Sequence, residues 1–325
     1  MILKTKEECE LPLLFDNTRT NNFLQCNRFD FFCNVQGIKR KSPSPPLDFG
    51  DKLHRALEHW YKTNDREASL KVFADSMEDI DYVDEKRNRS RGLIILEDYF
   101  ERYPVEQFVP IINGESHQAE LTFAIPLGPE VPGVMATGKI DLIMRQPGLG
   151  ICAVDHKTTS EMGEGFWRMI KPNRQFSCYI WAARQYFENV YGLMVNAIFV
   201  GIQTKLKKAE QEAYDRAMDP ETGFMFGGEQ AAKEILASHR NTRFGREWTT
   251  RTDDELEWWR QDTIGYVKKI HRAYEKWDWP QNTNSCNYYG ACPYYELCST
   301  PRHFTEIEPS DDRYEINVWN PLEAK

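Results

Sequence analysis

Two acidic residues and a lysine stand at the ends of two neighbouring apolar segments. The segment GICAVDHK (150–157) ends on Asp155 and Lys157, and GKIDLIM (138–144) contains Asp141. Side chains of a strand alternate between its faces, so Asp155 and Lys157 should point one way and His156 the other. The turn RQPGLG joins the segments, which predicts a hairpin with backbones about 4.8 Å apart. Asp141 and Asp155 can then converge on one cation beside Lys157.

Two carboxylates and a lysine suit the hydrolysis of a phosphodiester. Carboxylate oxygens are preferred ligands of Mg²⁺ or Mn²⁺. A bound ion would polarise the phosphoryl oxygen and lower the pKa of an attacking water, and the lysine would stabilise the added negative charge. The alternative is a simple ion pair between Asp155 and Lys157, with Asp141 in solvent. The pair of strands alone leaves both interpretations open.

Two further pairs of residues have helical spacing. In GDKLHRALEHW (50–60), His54 and Glu58 are four residues apart, and in QFSCY (175–179) so are Gln175 and Tyr179. Residues four apart share one face of a helix. Each pair alone is typical of a helix surface or of packing.

Residues 133–140, GVMATGKI, match seven of the eight positions of a phosphate-binding loop. However, Ile140 stands where that loop has Ser or Thr, and a strand rather than a helix is predicted to follow. Nucleotide binding is therefore not expected there.

Taken in chain order, four short motifs resemble those of RecB-like nucleases in the PD-(D/E)XK superfamily. They are G-x-x-x-H from Gly50, G-x-x-D from Gly138, D-x-K from Asp155 and Q-x-x-x-Y from Gln175. The resemblance covers roughly residues 20–300.

The resemblance implies a role for each matching residue. By this resemblance His54, Asp141 and Asp155 would bind Mg²⁺ or Mn²⁺, and Lys157 would be the catalytic lysine. Gln175 and Tyr179 would contact DNA or brace the site. Many relatives have Glu where this chain has Asp155. Glu120, at the start of the preceding strand, could add a carboxylate.

Three of the eight cysteines, Cys286, Cys292 and Cys298, follow one another at intervals of six residues. Such a cluster in a chain without a disulfide framework points to metal ligation by thiolates. His303 would complete a local zinc site. Alternatively, a distant cysteine, Cys26 or Cys33, would complete an iron–sulfur site.

The residues around Cys26 resemble the N-terminal cysteine segment of the iron–sulfur branch of the same family. That branch includes AddB-type helicase–nucleases and the exonucleases of CRISPR adaptation. The resemblance implies a 4Fe–4S cluster held by Cys26, Cys286, Cys292 and Cys298, with Cys33 as the alternative first ligand. Such a cluster would act as a staple across a very long loop, where the loop-closure entropy removed is largest.

The composition fits a globular protein and argues against a membrane protein. The chain has 325 residues, 41% of them hydrophobic, and a formal charge of −9. No apolar stretch approaches the roughly 20 residues of a membrane span, and MILKTKEECELPLL is a poor signal peptide, so a cytoplasmic protein is expected. The negative charge excludes a general basic coat but not a local stripe of Lys and Arg that binds DNA.

Hydrophobic periodicity predicts the order of the elements. Helical patterns lie at 51–62, 66–80, 88–103, 173–190 and 252–279, and strand patterns at 120–127, 138–144, 150–157 and 194–204, with a Pro-rich linker at 41–50 ahead of the first long helix. The predicted class is α/β, a restriction-endonuclease-like core with a central mixed sheet flanked by helices, plus a helical region and an iron–sulfur staple.

One composite domain is expected, in six parts. An N-terminal segment (1–48) carries the first cluster cysteine, a helical region (49–112) carries His54, and the nuclease core occupies 113–205. A second helical region (206–285), the cysteine cluster (286–304) and a tail (305–325) follow.

The expected function is a metal-dependent deoxyribonuclease that acts on DNA ends or single strands. It would serve recombination, repair or CRISPR-type processing, alone or with a helicase, recombinase or CRISPR-type partner protein. Two alternatives are a catalytically idle, DNA-binding iron–sulfur scaffold and a zinc protein with an incidental acidic pair.

Overall fold

The computed structural model describes residues 2–42, 44–78, 80, 84–104, 109–110, 112–113, 116–117, 119–287, 290–307, 309–310, 312–318, 320 and 322. Its α-helices are α1 (Asn17–Gln25), α2 (Asn27–Asp30), α3 (Pro45–Thr63), α4 (Arg66–Ser76), α5 (Arg89–Arg102), α6 (Glu164–Arg168), α7 (Arg174–Tyr186), α8 (Lys208–Ala217), α9 (Gly228–His239), α10 (Asp253–Lys276) and α11 (Tyr295–Cys298). Within these residues, no helix combines the length and the apolar character needed to cross a membrane.

The strands form one large mixed sheet and two small ones. They are β1 (Leu14–Phe15), β2 (Ile38–Arg40), β3 (Val109–Pro110), β4 (Ile112–Asn113), β5 (Ser116–His117), β6 (Ala119–Pro126), β7 (Met135–Gln146), β8 (Gly150–Thr159), β9 (Val190–Phe199), β10 (Phe244–Thr249) and β11 (Tyr314–Ile316). The large sheet has the order β1-β7-β8-β9-β10, and β3 and β6 also pair with β7. β8 and β9 are parallel, joined through α6 and α7, whereas β6, β7 and β8 form antiparallel pairs.

Helices cover both faces of the large sheet. Apolar residues of α3, α4 and α5 pack on one face against Leu142 and Val154, and those of α7 and the start of α10 pack on the other against Ile143 and Ala153. Because both faces are covered, the central strands are apolar over most of their length. The mixed sheet flanked by helices confirms the predicted α/β core, whereas the iron–sulfur staple stays a prediction.

A third apolar cluster joins the N-terminal and C-terminal parts of the chain. Phe23 of α1 and Phe31, which directly follows α2, pack with Ile270, Trp279 and Phe304. The Arg28 side chain donates a hydrogen bond to the Trp279 carbonyl at 2.7 Å, and β2 pairs with β11. These contacts place Cys26 near the cysteines that follow residue 285.

The long helix α3 begins inside the segment that was predicted to be a linker. Pro45 and Pro46 occupy its first turn, where a missing backbone N–H costs nothing because the first N–H groups have no partner within a helix. The proline-rich stretch therefore starts the helix rather than preceding it. Its predicted apolar face is confirmed, since Leu53, Leu57 and Trp60 are buried.

Other boundaries differ from the predictions in detail. The region 206–285, predicted to be helical, contains β10, which pairs antiparallel with β9. β9 begins at Val190 and ends at Phe199, whereas the pattern predicted 194–204. Residues 135–140 lie in β7, so GVMATGKI continues as a strand, as predicted, and does not open a helix.

Candidate active site

The strands β7 and β8 pair at one end and separate at the other. Their ladder runs from Gln146 and Gly150 to Leu142 and Val154; beyond it β8 continues beside β9, and β7 beside β6. Asp141 and Asp155 are the first residues past the last pair, one on each strand. The hairpin predicted from the sequence is confirmed, and the two aspartates stand where its strands diverge.

The alternation of side chains is broken around Asp141. Ile140 and Ile143 pack into the same core cluster although they are three residues apart, while Leu142 packs into the opposite one. The β6–β7 ladder passes over Asp141 and the facing Glu120, whose φ is +66°. Irregularities of this kind redirect a side chain at a functional site. Here the irregularity lets Asp141 contact both α3 and β8.

Asp155 and Lys157 share one face of β8, as predicted. Lys157 Nζ lies 2.9 Å from Asp155 Oδ2 and donates a hydrogen bond to Oδ1 at 3.1 Å. Asp155 is 1% exposed, and this burial raises its pKa to about 6 against the attraction of Lys157. Burial acts to lower the pKa of Lys157, but Asp155 and Asp141 outweigh it and the pKa is raised. The lysine stays charged.

The helix α7 braces the lysine. Asn173 caps this helix, its side chain accepting hydrogen bonds from the backbone N–H groups of Gln175 and Phe176. Gln175 Oε1 accepts from Lys157 Nζ at 3.0 Å, and Gln175 Nε2 donates to the Tyr179 hydroxyl at 2.8 Å. The four-residue spacing of Gln175 and Tyr179 thus fixes the direction of the lysine.

His54 approaches Asp141 from α3. Its Nδ1 lies 3.6 Å from Asp141 Oδ2, and the same oxygen accepts a 2.7 Å hydrogen bond from the backbone N–H of His156. The glycine one turn earlier makes this approach possible, because a Cβ at Gly50 would lie 2.9 Å from Thr158 Oγ1 on β8. The helix could not sit this close to the strand with a side chain there.

The glycine of the second motif has a similar reason. A Cβ at Gly138 would lie 2.8 Å from the Phe123 ring and 3.3 Å from that of Tyr179. Phe123 is 1% exposed, so its ring has little room to move. Gly138 lets β7 lie directly under α7, which brings Tyr179 to the site.

A buried polar network lies on the opposite face of β8, and the sequence analysis missed it. Arg246 Nε donates to Asn196 Oδ1 at 3.2 Å, so the Asn196 amide must present its Nδ2 to His156 Nδ1 at 2.7 Å. His156 therefore carries its proton on Nε2. Its ring stacks on Tyr61 at 5.6 Å and meets the His54 ring edge-on at 5.9 Å. Burial lowers the pKa of His156 well below its usual value, so it is neutral.

A cavity of about 270 Å³ lies in the space between the diverging strands; we call it the cleft. The predicted site residues His54, Asp141, Asp155, Lys157, Gln175 and Tyr179 all line it, together with Glu120, Thr137 and Lys139. These residues are spread over more than a hundred positions of the chain, so it is the packing of α3, β7, β8 and α7 that brings them together.

The cleft suits a divalent cation in its chemistry, although its ligands are not gathered around one point. In the described part of the chain, no three or more His, Cys, Asp or Glu side chains form a ready-made metal-binding group. However, Asp155 Oδ2 is buried, and although it forms an ion pair with Lys157 it accepts no hydrogen bond of good geometry from the described residues. A buried carboxylate oxygen that keeps a lone pair beside such an ion pair is an acceptor that Mg²⁺ or Mn²⁺ would satisfy. His54 and Asp141 would supply the further donors.

The four cysteines assigned to a cluster line a second cavity, of about 160 Å³. Cys26, Cys286, Cys292 and Cys298 border it, whereas Cys33 does not. Cys33 instead lies by Asn22, whose amide is 3.8 Å from its sulfur. His303, the alternative zinc ligand, is hydrogen-bonded to the Thr305 hydroxyl and does not line this cavity.

The thiols have the donor chemistry for a metal group but are not closed around a single ion. A zinc ion would require each sulfur about 2.3 Å from one point, and the described residues contain no such group. The backbone N–H of Asn282 donates to Cys26 Sγ at 3.3 Å, a contact of the kind that tunes iron–sulfur centres. Burial raises the pKa of Cys298 to about 11, so metal loading would release a proton there.

Comparison with protein families agrees with this geometry. A family described as the PD-(D/E)XK nuclease superfamily matches residues 17–299, which include every motif of the cleft and the four cysteines. No curated protein matches the chain. Because the match covers most of the 325 residues, the chain belongs to the PD-(D/E)XK nuclease superfamily.

Proposed function

We propose that the protein is a divalent-metal-dependent DNA nuclease that hydrolyses phosphodiester bonds in the cleft. The observation that carries the proposal is the meeting of Asp141, Asp155 and a charged, braced Lys157 where β7 and β8 diverge. A bound Mg²⁺ or Mn²⁺ ion would supply Lewis-acid polarisation of the phosphoryl oxygen and a lower pKa for the attacking water.

The chain's own residues have separate tasks in this proposal. Asp141 and Asp155 hold the ion, and His54 supports it from α3. Lys157 places a positive charge where the phosphoryl group gains negative charge, an interaction that is stronger in the transition state than in the bound substrate. Gln175 and Tyr179 keep the ammonium in position, which saves reorganisation during the reaction.

The substrate and setting are proposed more narrowly from the resemblance. We assign the protein to exonucleolytic processing of single-stranded DNA or DNA ends in recombination, repair or CRISPR-type reactions, with a helicase, recombinase or CRISPR-type protein as a partner. Eight free thiols suit a reducing compartment such as the cytoplasm.

The second cavity is proposed to hold a 4Fe–4S cluster on Cys26, Cys286, Cys292 and Cys298. Four thiols around one cavity, with Cys33 and His303 outside it, support this ligand set over the alternatives. The cluster would tie the N-terminal helices to the C-terminal segment and stabilise the fold rather than react with DNA.

Labelled DNA tests the nuclease. Single- and double-stranded DNA, labelled at the 5′ or 3′ end, is incubated with protein in Mg²⁺, Mn²⁺ or EDTA, and the product ladders give metal requirement, strand preference and polarity. Lys157→Ala should lose at least a hundredfold in cleavage rate, whereas Lys71→Ala, an exposed lysine on α4, should match the wild type. Metal-independent DNA binding without cleavage by the wild type would instead support the idle scaffold.

Iron analysis tests the cluster. Anaerobically purified wild type should contain about four iron and four acid-labile sulfide per chain, with visible absorbance. Cys286→Ala should lose the colour and much of the solubility, and Cys33→Ala should keep the colour. Stoichiometric zinc in place of iron, or a folded wild type free of both metals, would overturn the assignment.

A further inference from the structure

Buried polar atoms without hydrogen bonds are concentrated in the cleft. In the described residues, eight buried side-chain N or O atoms lack a hydrogen-bond partner. Three of the eight belong to residues that line the cleft: Thr137 Oγ1, Lys139 Nζ and Asp155 Oδ2. Unsatisfied groups are rare in native proteins and call for a water, an ion or a ligand. Asp155 has a role in the proposed mechanism, but Thr137 and Lys139 have none there.

Thr137 and Lys139 form a pair of donors on one wall of the cleft. They are two residues apart on β7, so their side chains share a face of the strand. Thr137 is 1% exposed, and the side chain of Lys139 is 14% exposed. An ammonium has only donors, and a hydroxyl can donate as well as accept. The pair is therefore suited to an acceptor with several oxygens.

The ammonium of Lys139 is held by a weak contact. Its ion pair with Glu120 Oε1 measures 3.5 Å and does not meet hydrogen-bond geometry. The Glu120 side chain is 36% exposed, so it can turn out to solvent. Its backbone, at φ +66°, is in the left-handed region that glutamate rarely adopts. Such strained residues are found where a site requires them.

The position of the pair indicates which acceptor it would bind. Lys139 and Asp141 both line the cleft although the alternation is broken between them, and residues two apart along a strand are separated by about 6.8 Å, so Lys139 lies next to the position proposed for the cation. A DNA strand that enters the cleft must carry more than one phosphate past these residues. The row next to the reacting phosphate is where a neighbouring phosphate would lie.

We propose that Thr137 and Lys139 form a subsite for a non-reacting phosphate of the DNA strand. In the absence of DNA, Glu120 forms an ion pair with Lys139, and the phosphate replaces Glu120 when the strand binds. This inference rests on the proposed function, because it takes DNA as the substrate. Glu120 is thus a competitor of the phosphate rather than a third metal-binding carboxylate, the role considered for it from sequence.

Binding measurements without cleavage test the subsite. A fluorescein-labelled single-stranded 12-mer is titrated with protein in EDTA at several NaCl concentrations. Lys139→Met should weaken binding at least fivefold and reduce the slope of log K against log salt by about one phosphate contact. Thr137→Val should weaken binding with the slope unchanged. Lys71→Met is the matched control and should change neither quantity.

The Glu120→Gln variant separates the two roles of the glutamate. Loss of the competing carboxylate should tighten DNA binding at least twofold in EDTA and lower KM in Mn²⁺, with kcat within twofold of the wild type. A fall in kcat that excess Mn²⁺ rescues would assign Glu120 to the cation and overturn the proposal.

The failure of the subsite differs from the failure of the nuclease. If the wild type cleaves DNA while Lys139→Met keeps its KM and salt slope, the buried donors serve only water and the subsite is wrong. If the wild type neither binds nor cleaves any DNA, the proposed function fails and the subsite fails with it. Circular dichroism of each variant checks that the fold is retained.

Discussion

Asp155 should make the metal-free protein less stable at neutral pH than a neutral side chain would. The carboxyl is fully buried, and burial raises its pKa to about 6 from the ordinary 3.8. Each tenfold change in proton affinity corresponds to about 1.4 kcal/mol. Keeping Asp155 ionised in the folded protein therefore costs on the order of 3 kcal/mol at pH 8, a value that already includes the attraction of Lys157.

The sign of the pH dependence follows from this raised pKa. Above pH 6 Asp155 is ionised in both the folded and the unfolded chain, so the folded protein bears the full free-energy cost of the buried charge. Between pH 6 and about 4 the folded protein takes up a proton before the unfolded chain does, so folding becomes more favourable as the pH falls. Asp155→Asn, which is neutral at every pH, should therefore be more stable than the wild type at pH 8, and this advantage should vanish near pH 4.

Urea unfolding followed by tryptophan fluorescence provides the assay, in EDTA at pH 8.0, 6.5, 5.5 and 4.5. Asp262→Asn is the control, because that carboxylate is 67% exposed and its removal should change stability by less than about 0.5 kcal/mol. Added Mg²⁺ or Mn²⁺, in place of EDTA, should reduce the difference in the free energy of unfolding between Asp155→Asn and the wild type, because the ion binds only the wild type. An Asp155→Asn variant that is less stable at pH 8, or whose advantage does not change with pH, would refute the reasoning.

Three further predictions concern the residues that shape the cleft. Glu120→Gly should raise the free energy of unfolding by about 1 kcal/mol in urea, because glycine adopts φ +66° without strain, and Glu120→Ala should not. Gly138→Ala should lower it by about 1–3 kcal/mol in the same assay, since the added methyl meets the buried Phe123 ring. Asn196→Leu should lower it by at least about 2 kcal/mol, because His156 and Arg246 lose a buried partner, and should lower kcat more than it changes KM; an unchanged kcat would show that the network does not position the site.

Local patterns were sufficient to predict the central hairpin and the helices beside it. Alternation in the segment ending on Asp155 and Lys157, and the turn before it, depend only on neighbours in the chain, so the structure has them as predicted. The start of α3 at Pro45 was missed because proline is unfavourable inside a helix yet well accommodated in its first turn. β10 was missed because its strand conformation depends on pairing with β9.

The site was predictable as a set of residues but not as a geometry. Asp141, Asp155, Lys157 and the helix pairs carry recognisable spacings. The left-handed backbone of Glu120, the broken alternation at Asp141 and the network from Arg246 to His156 depend on contacts between distant elements. No local pattern encodes such contacts, because the sequence separation between Asn196 and Tyr99, for example, is 97 residues.

The meeting of the two ends of the described fold has a consequence for synthesis on the ribosome. Arg28 cannot donate its hydrogen bond to the Trp279 carbonyl until more than 250 further residues have been made. The Ile38 carbonyl likewise waits more than 250 residues for the Tyr294 hydroxyl that donates to it. The aromatic side chains of residues 23–32 therefore lack these native neighbours until the segment around residues 279–294 has been made. We expect the nascent chain to need a chaperone during this interval, because its exposed apolar side chains favour aggregation. Cys286, Cys292 and Cys298 are made only after the segment that carries Cys26 and the central sheet.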